Sequence, residues 1–339
     1  MAALTGASPT LKRSGVRYWL YWVGRMFLRK PLGFVGLFIV LLLCILAVLA
    51  PVLASEGYND IGGLPRLEPP GPEYPMGTDD LGRSVLTRVI WGARLSMFVG
   101  ITATLISTII SLTLGTLSAY IGGKFDLFFQ RFVDGYTCFP DLPLLIMLMA
   151  ILGPGLLQIL LVLGVNSGIQ ATRGARSLIF MIKENQYVLA SEAMGARVWW
   201  VVRKHLFPNV MPLIIVAFTM GMGANILAEA SLSFLGLGLP DPFPSWGRMI
   251  SGPGRTFMVI APWMILYPGL SLTVAILGIN VFGDALRDLM DPRLRGGMGG
   301  YGLGYSLDRA RKARGKFLAK LAKKEAKAPS IQPPDTPLS

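Results

Sequence analysis

Any histidine chemistry in this chain would rest on one side chain, because His205 is the only histidine among 339 residues. A single imidazole cannot complete an HExxH zinc site, and a catalytic triad would hang on it alone. Cys44 and Cys138 sit in apolar stretches with no metal-site spacing, and read as small packing residues. Gly122-Gly123-Lys124 is followed by Phe125 and lacks the upstream glycine of a phosphate-binding loop. No catalytic residue, cofactor or metal site is therefore expected. The polar residues could instead line a path. Glu229 stands near the end of an apolar run, with Asn225 one turn earlier on the same face. An acid inside a membrane is costly unless it faces a cavity or a partner, which makes both residues translocation-path candidates. The competing reading puts Glu229 at the outer interface, bonded to loop backbone. Asp134 and Asp141 are expected at the cytoplasmic interface or in a bent helix entry, near Pro140 and Pro143. Gly221, Gly223 and Ala224 would let helices approach closely.

Composition sets the surroundings of these residues. The chain is 53% hydrophobic and only 15% charged, with a mean hydropathy of +0.55. A soluble domain carries about a quarter charged residues, so much of this surface faces something other than water. The formal net charge of +13 could suit nucleic acid. The basic residues, however, cluster between apolar runs, as topology signals do, and no nucleic-acid partner is expected.

The apolar runs predict an all-α polytopic bundle of six transmembrane helices. After a basic N-terminal segment, 1–30, the uncharged run 33–54 is long enough to span about 33 Å. It reads as a retained first helix, 31–54, not a cleaved signal. Residues 55–94 form a Pro/Gly-rich, acidic segment outside the membrane. A five-helix core, 95–293, follows, with spans expected near 95–123, 133–152, 156–173, 208–231 and 262–283. Gly153-Pro154-Gly155 separates the third from the fourth. A basic tail, 294–339, closes the chain. Ala310, Ala313, Phe317 and Leu321 form a loose stripe there, which suits either anionic lipid or a solvated tail.

Lysine and arginine counts orient the bundle. The N-terminal segment holds 6, the 121–132 loop 2, the 172–207 loop 6 and the chain from 284 onward 12. The opposite side holds 4 in 55–94 and 2 in 232–261. Both termini and the 172–207 loop are thus expected in the cytoplasm, N-in and C-in. That loop promises an Ala-rich short helix, a stop at Gly195, and a Trp/Arg-rich return into the membrane. It suits a rigid knob that fills a groove on a partner, or an amphipathic helix lying on the interface with Trp199 and Trp200 as anchors.

Four stretches resemble the inner-membrane permease subunits of binding-protein-dependent ABC importers, in the dipeptide, oligopeptide and nickel branch and its second permease type. They are Gly77–Arg94, the segment Lys183–Asn209, Glu229–Gly238 with Pro244-Ser-Trp-Gly247, and Pro268-Gly269 with Asn280–Pro292. Together they cover roughly 31–293 in order. The resemblance implies a type I permease fold and an ATPase-coupling loop carried by Tyr187, Ala190, Ser191, Glu192, Gly195, Ala196, His205, Pro208 and Asn209. One position departs: Leu189-Ala190-Ser191 stands where the family usually has Glu-Ala-Ala. Implied partners are a second homologous permease, two cytoplasmic ATPases that hydrolyse the ATP, an external solute-binding protein and membrane lipid. The implied location is the cell inner membrane. A stand-alone secondary transporter or channel is the competing class. It would be expected to carry coupling groups deep in its spans and often repeated halves, and the sequence shows neither.

Overall fold

A computed structural model describes residues 31–54, 57–61 and 65–290. The N-terminal segment, the basic tail and its apolar stripe lie outside the described residues. The chain divides into two units, Met1–Arg287 and Asp288–Ser339.

Helices are the regular elements of the described residues, joined by turns and loops, with one isolated bridge, Thr78 to Ser84, among them. Helix α1 runs Pro31–Leu53 and α2 runs Val85–Ile121. Helix α3, Gly123–Thr137, precedes α4, Asp141–Leu152, and α5 is Leu156–Lys183. A short α6, Gln186–Ala193, leads to α7, Val198–Val201. A wide turn at Val202–Leu206 joins α7 to α8, Phe207–Phe234. Two one-turn helices, α9 (Trp246–Ile250) and α10 (Gly252–Thr256), precede α11, Trp263–Met290.

Four helical stretches are long and apolar enough to cross a membrane: Pro31–Leu53, Val85–Ile121, Val198–Phe234 and Trp263–Met290. The expected third span is not one straight helix. Pro140 has no N–H and clashes with a preceding helical turn, so the chain breaks there and α3 and α4 meet at 90°. Counted as one broken span, the pair makes a fifth candidate. The expected fourth span begins where predicted but does not stop at 173; α5 continues through Arg173 and Arg176 to Lys183. It is also more polar than a lipid-facing helix. Its polar side chains turn inward, to α3 and to a cavity described below.

Helix α2 begins ten residues before its expected start, because Ser84 caps it by accepting from the Thr87 N–H. The arginines this adds are accommodated. Arg88 is buried beside Asp79, and its Nη1 donates 3.2 Å to the Tyr58 carbonyl. Asp79 organises the turn before the helix: Oδ1 accepts from the Leu81 and Arg83 N–H groups at 2.9 and 2.8 Å, and Oδ2 from Arg83 Nε at 2.6 Å. Trp263 Nε1 ties α11 to this turn by donating 3.0 Å to the Thr78 carbonyl. Trp246 Nε1 likewise ties α9 to α2 through the Val89 carbonyl at 3.1 Å.

Helices α2 and α5 form the most extensively packed pair. Gly164 and Gly168, one turn apart on α5, admit Ile106 and Ile110 of α2 against the α5 backbone. The small residues of α8 divide their work. Gly223 makes room for Asn280 of α11, whereas Gly221 and Ala224 line the cavity.

Outside the spans, Arg248 Nη2 donates 2.9 Å to Asp241 Oδ2 and holds that carboxyl below the usual range, partly opposed by burial. A depressed carboxyl stabilises the folded loop above its unfolded pKa, and that contribution disappears as pH falls through the lowered value. Amide exchange across 239–249, corrected for intrinsic rates, is therefore expected to be flat from neutral pH down and to rise below about pH 4. An Asp241→Asn variant should lose that step.

Candidate functional site: a knob and the cavity behind it

The knob is built by two local breaks. Helix α6 is eight residues long and is stopped two residues on by Gly195, whose φ of +81° suits glycine. The Ala196 N–H donates to the Ser191 carbonyl at 3.1 Å and the Gly195 N–H to the Glu192 carbonyl at 2.9 Å. This doubly bonded stop reverses the chain sharply. The return meets Pro208, which cannot donate to the Lys204 carbonyl. The turn before it widens, with the Phe207 N–H reaching back to Val202.

His205 fastens the two arms together. Its Nε2 lies 3.2 Å from Ser191 Oγ, which also donates 2.8 Å to the Tyr187 carbonyl. The imidazole packs 5.5 Å from the Tyr187 ring and edge-on to Trp200 at 5.1 Å. Asn209 Nδ2 donates 2.6 Å to the His205 carbonyl. The underside of the knob is apolar: Val188, Val201, Leu206 and Val210 bury against Ile179, Ile182 and Ala119. Lys183, at the end of α5, reaches the Ala119 carbonyl at 3.3 Å and lies over the Tyr120 ring. The knob is thus fixed to the ends of α2 and α5.

The sequence-predicted residues fall into three groups here. Tyr187, Ser191, His205 and Asn209 form the fastening, and Gly195, Ala196 and Pro208 shape the chain. Ala190 is exposed on the outer face, while Glu192 lies beside Tyr120. Leu189, at the departing position, is exposed, as are Met194 (82%), Val198 and Trp199 (72%). Replacing His205 by alanine removes the Ser191 contact and two ring contacts, each worth about 0.5–1.5 kcal/mol. Trypsin is expected to cut at Arg197 and Arg203 several times faster in the variant, as gel densitometry would show.

Behind the knob lies a cavity of about 820 Å³ between α2, α4, α5 and α8. Asn225 is on its wall and is also a junction of three helices. Its Nδ2 donates 2.9 Å to Thr104 Oγ1 of α2, and its Oδ1 accepts from Ser167 of α5 at 2.8 Å. Glu229 does not line this cavity. One turn further along α8 it is fully buried, with Ser233 Oγ donating to it at 2.6 Å and Ser245 beside it. It lies where the end of α8 meets the following loop, away from the cavity wall.

Sequence reasoning missed most of the cavity wall. Thr104, Ser107, Thr108 and Ser111 recur along one face of α2, opposite Asn166, Ser167 and Gln170 of α5. Polar residues at helical spacing within apolar runs were the available signal. Asp141 also belongs to the wall, at the first turn of α4. Helix α3 is joined to the C-terminal half of α5 by ion pairs from Asp126 to Arg176 and from Asp134 to Arg173.

A helical membrane protein with a cavity of mixed polar and apolar lining between its helices and a protruding knob beyond it has the parts a transport subunit needs. Residues 111–296 match the family described as binding-protein-dependent transport system inner membrane component, and residues 20–70 match the N-terminal TM domain of oligopeptide transport permease C. A dipeptide transport system permease protein, DppC, of Alkalihalophilus pseudofirmus is 38% identical over 79% of this chain and 88% of its own length. An oligopeptide transport system permease protein, OppC, of Bacillus subtilis is 35% identical over 87% of this chain and 96% of its own. A glutathione transport system permease protein, GsiD, of Pectobacterium atrosepticum is 34% identical over 86% and 97%. The chain belongs to the binding-protein-dependent inner-membrane permease family: it is a multi-pass permease subunit of an ABC importer.

Proposed function

We propose that this subunit carries peptides or similar small solutes, and that residues 184–200 receive the stroke of two separate cytoplasmic ATPases. The observation that carries the reading is the knob: a capped, histidine-fastened projection continuous with the helices that wall the cavity. A rigid element that fills a groove on an ATPase would move with it and tilt α2 and α5, opening the cavity alternately to each side. The exposed ridge of Leu189, Met194, Val198 and Trp199 is the surface such a groove would cover. The peptide substrate is supported by the relatives' names and by a cavity whose apolar lining is interspersed with hydrogen-bonding side chains.

The cavity is open along one side in a single chain, which argues for a second, homologous permease completing it. An external binding protein would deliver solute. Six spans with both termini in the cytoplasm remain the topology the charge distribution supports, with α3–α4 as the broken third span and α5 as a fourth that faces protein. ATP hydrolysis would reside in the partners. Purification from the native membrane is expected to recover an ATPase and a second permease with this chain. A protein recovered alone that transports in liposomes without ATP would sink the proposal and favour a secondary transporter.

A further inference from the structure

The cavity wall is neutral except at one point. Among its lining residues Asp141 alone carries a charge, and no basic residue lines it. The carboxylate is held by α5: Asn166 Nδ2 donates 2.6 Å and Gln170 Nε2 donates 2.8 Å, both to Oδ1. The Tyr136 hydroxyl donates 2.9 Å to Asn166 Oδ1, so the buried Asn166 amide must present its NH2 to Asp141. Three helices thereby aim one carboxylate, and Oδ2 is left without a hydrogen-bond partner among the described residues.

We propose that Asp141 is a recognition point for a positively charged amine on the solute in passage, taken up by its unoccupied oxygen. A carboxylate on the cavity wall with one oxygen pinned by hydrogen bonds offers its other oxygen as a fixed acceptor to an ammonium donor. The surrounding hydroxyls and amides can bond either donors or acceptors, so they add grip without charge preference. The break at Pro140 is what brings this residue to the wall, since a continuous helix would carry 141 onward around its own axis. The inference rests on the importer reading given above.

The test uses the complete transporter in proteoliposomes, with its binding protein loaded to saturation for each solute. ATP-driven turnover is measured for alanyl-alanine, lysyl-alanine and N-acetyl-alanyl-alanine. Asp141→Asn is expected to slow the solutes bearing a free amine by about tenfold, with the acetylated peptide spared and Asp141→Glu recovering much of the loss. Loss confined to lysyl-alanine would assign the contact to a side-chain cation; loss for both free-amine peptides would assign it to the terminal ammonium. Gln170→Lys, which places a competing ammonium beside Asp141, is expected to reproduce the selective loss and serves if Asp141→Asn does not assemble. Equal slowing of all three solutes would reduce Asp141 to a helix-starting residue, and no slowing would remove it altogether; either overturns the proposal. If the wild-type complex shows no ATP-driven uptake of any of the three, the importer reading falls and this inference with it.

Discussion

Replacing Gly195 with valine is expected to lower ATP-driven uptake about tenfold while leaving the amount of chain in the membrane unchanged, because a β-branched residue held at positive φ costs about 1–2 kcal/mol. The cost is conformational, since a Cβ at Gly195 meets nothing within 4 Å. The strain falls on the turn that stops α6 and sets the direction of the return arm. The apolar underside, with Val188, Val201 and Leu206 buried, would keep the two arms attached. What changes is the angle at which Met194 and Trp199 are presented. A series separates shape from bulk. Asparagine tolerates the left-handed conformation, so Gly195→Asn should keep most uptake if the turn's geometry is what matters. A loss as deep as valine's would show instead that the partner's groove has no room for any side chain. Uptake unchanged by both variants would remove the case for the knob as a coupling element. Membrane content by immunoblot and uptake of labelled peptide provide the two readouts.

The knob shows what the sequence made legible and why. A glycine after an Ala-rich octapeptide, a proline before an apolar run and one histidine between them are local signals, and local signals determine helix ends. The stop at Gly195 is where the residue types place it. That His205 fastens the arms depends on Ser191 and Trp200 meeting across the turn, a contact between residues that only the folded return brings together. The same distinction explains the errors in the spans. Charge runs locate membrane boundaries when side chains face lipid, but Arg173 and Arg176 pair with Asp134 and Asp126 on α3. Helix α5 therefore runs past its expected end at 173 and carries Arg176 and Lys183 with it. Glu229 and Asn225 share a face of α8 in sequence, yet one meets a loop and the other a cavity. Their fates diverge because the protein around α8 changes over one turn, which no periodicity records.

The second large effect concerns the seam between α2 and α5, on which both the cavity and the knob depend. Gly168→Leu is expected to prevent accumulation of the folded chain. A first carbon at that position would already lie 2.8 Å from Ile110 Cβ and 3.2 Å from the Ser107 carbonyl, before the rest of the leucine is placed. Neither neighbour can yield easily, since one is the branched root of a packed side chain and the other is helix backbone. The helices would have to part, and overpacking of this kind costs about 1–3 kcal/mol, occasionally more. Separation would also stretch the bridge from Ser167 through Asn225 to Thr104, which joins α5, α8 and α2. Gly164, with Ile106 Cγ2 at 2.6 Å from its missing Cβ, should respond in the same way. Gly135→Leu is the control: that site on α3 is exposed and has nothing within 4 Å, so the variant should accumulate normally. Gly168→Ala should fall between the two, because a single methyl requires only part of the displacement. Accumulation is read as monodisperse protein after detergent extraction. Normal yield of Gly168→Leu would mean that α2 and α5 are free to slide apart, and a rigid knob fixed to their ends could not then drive them as one body.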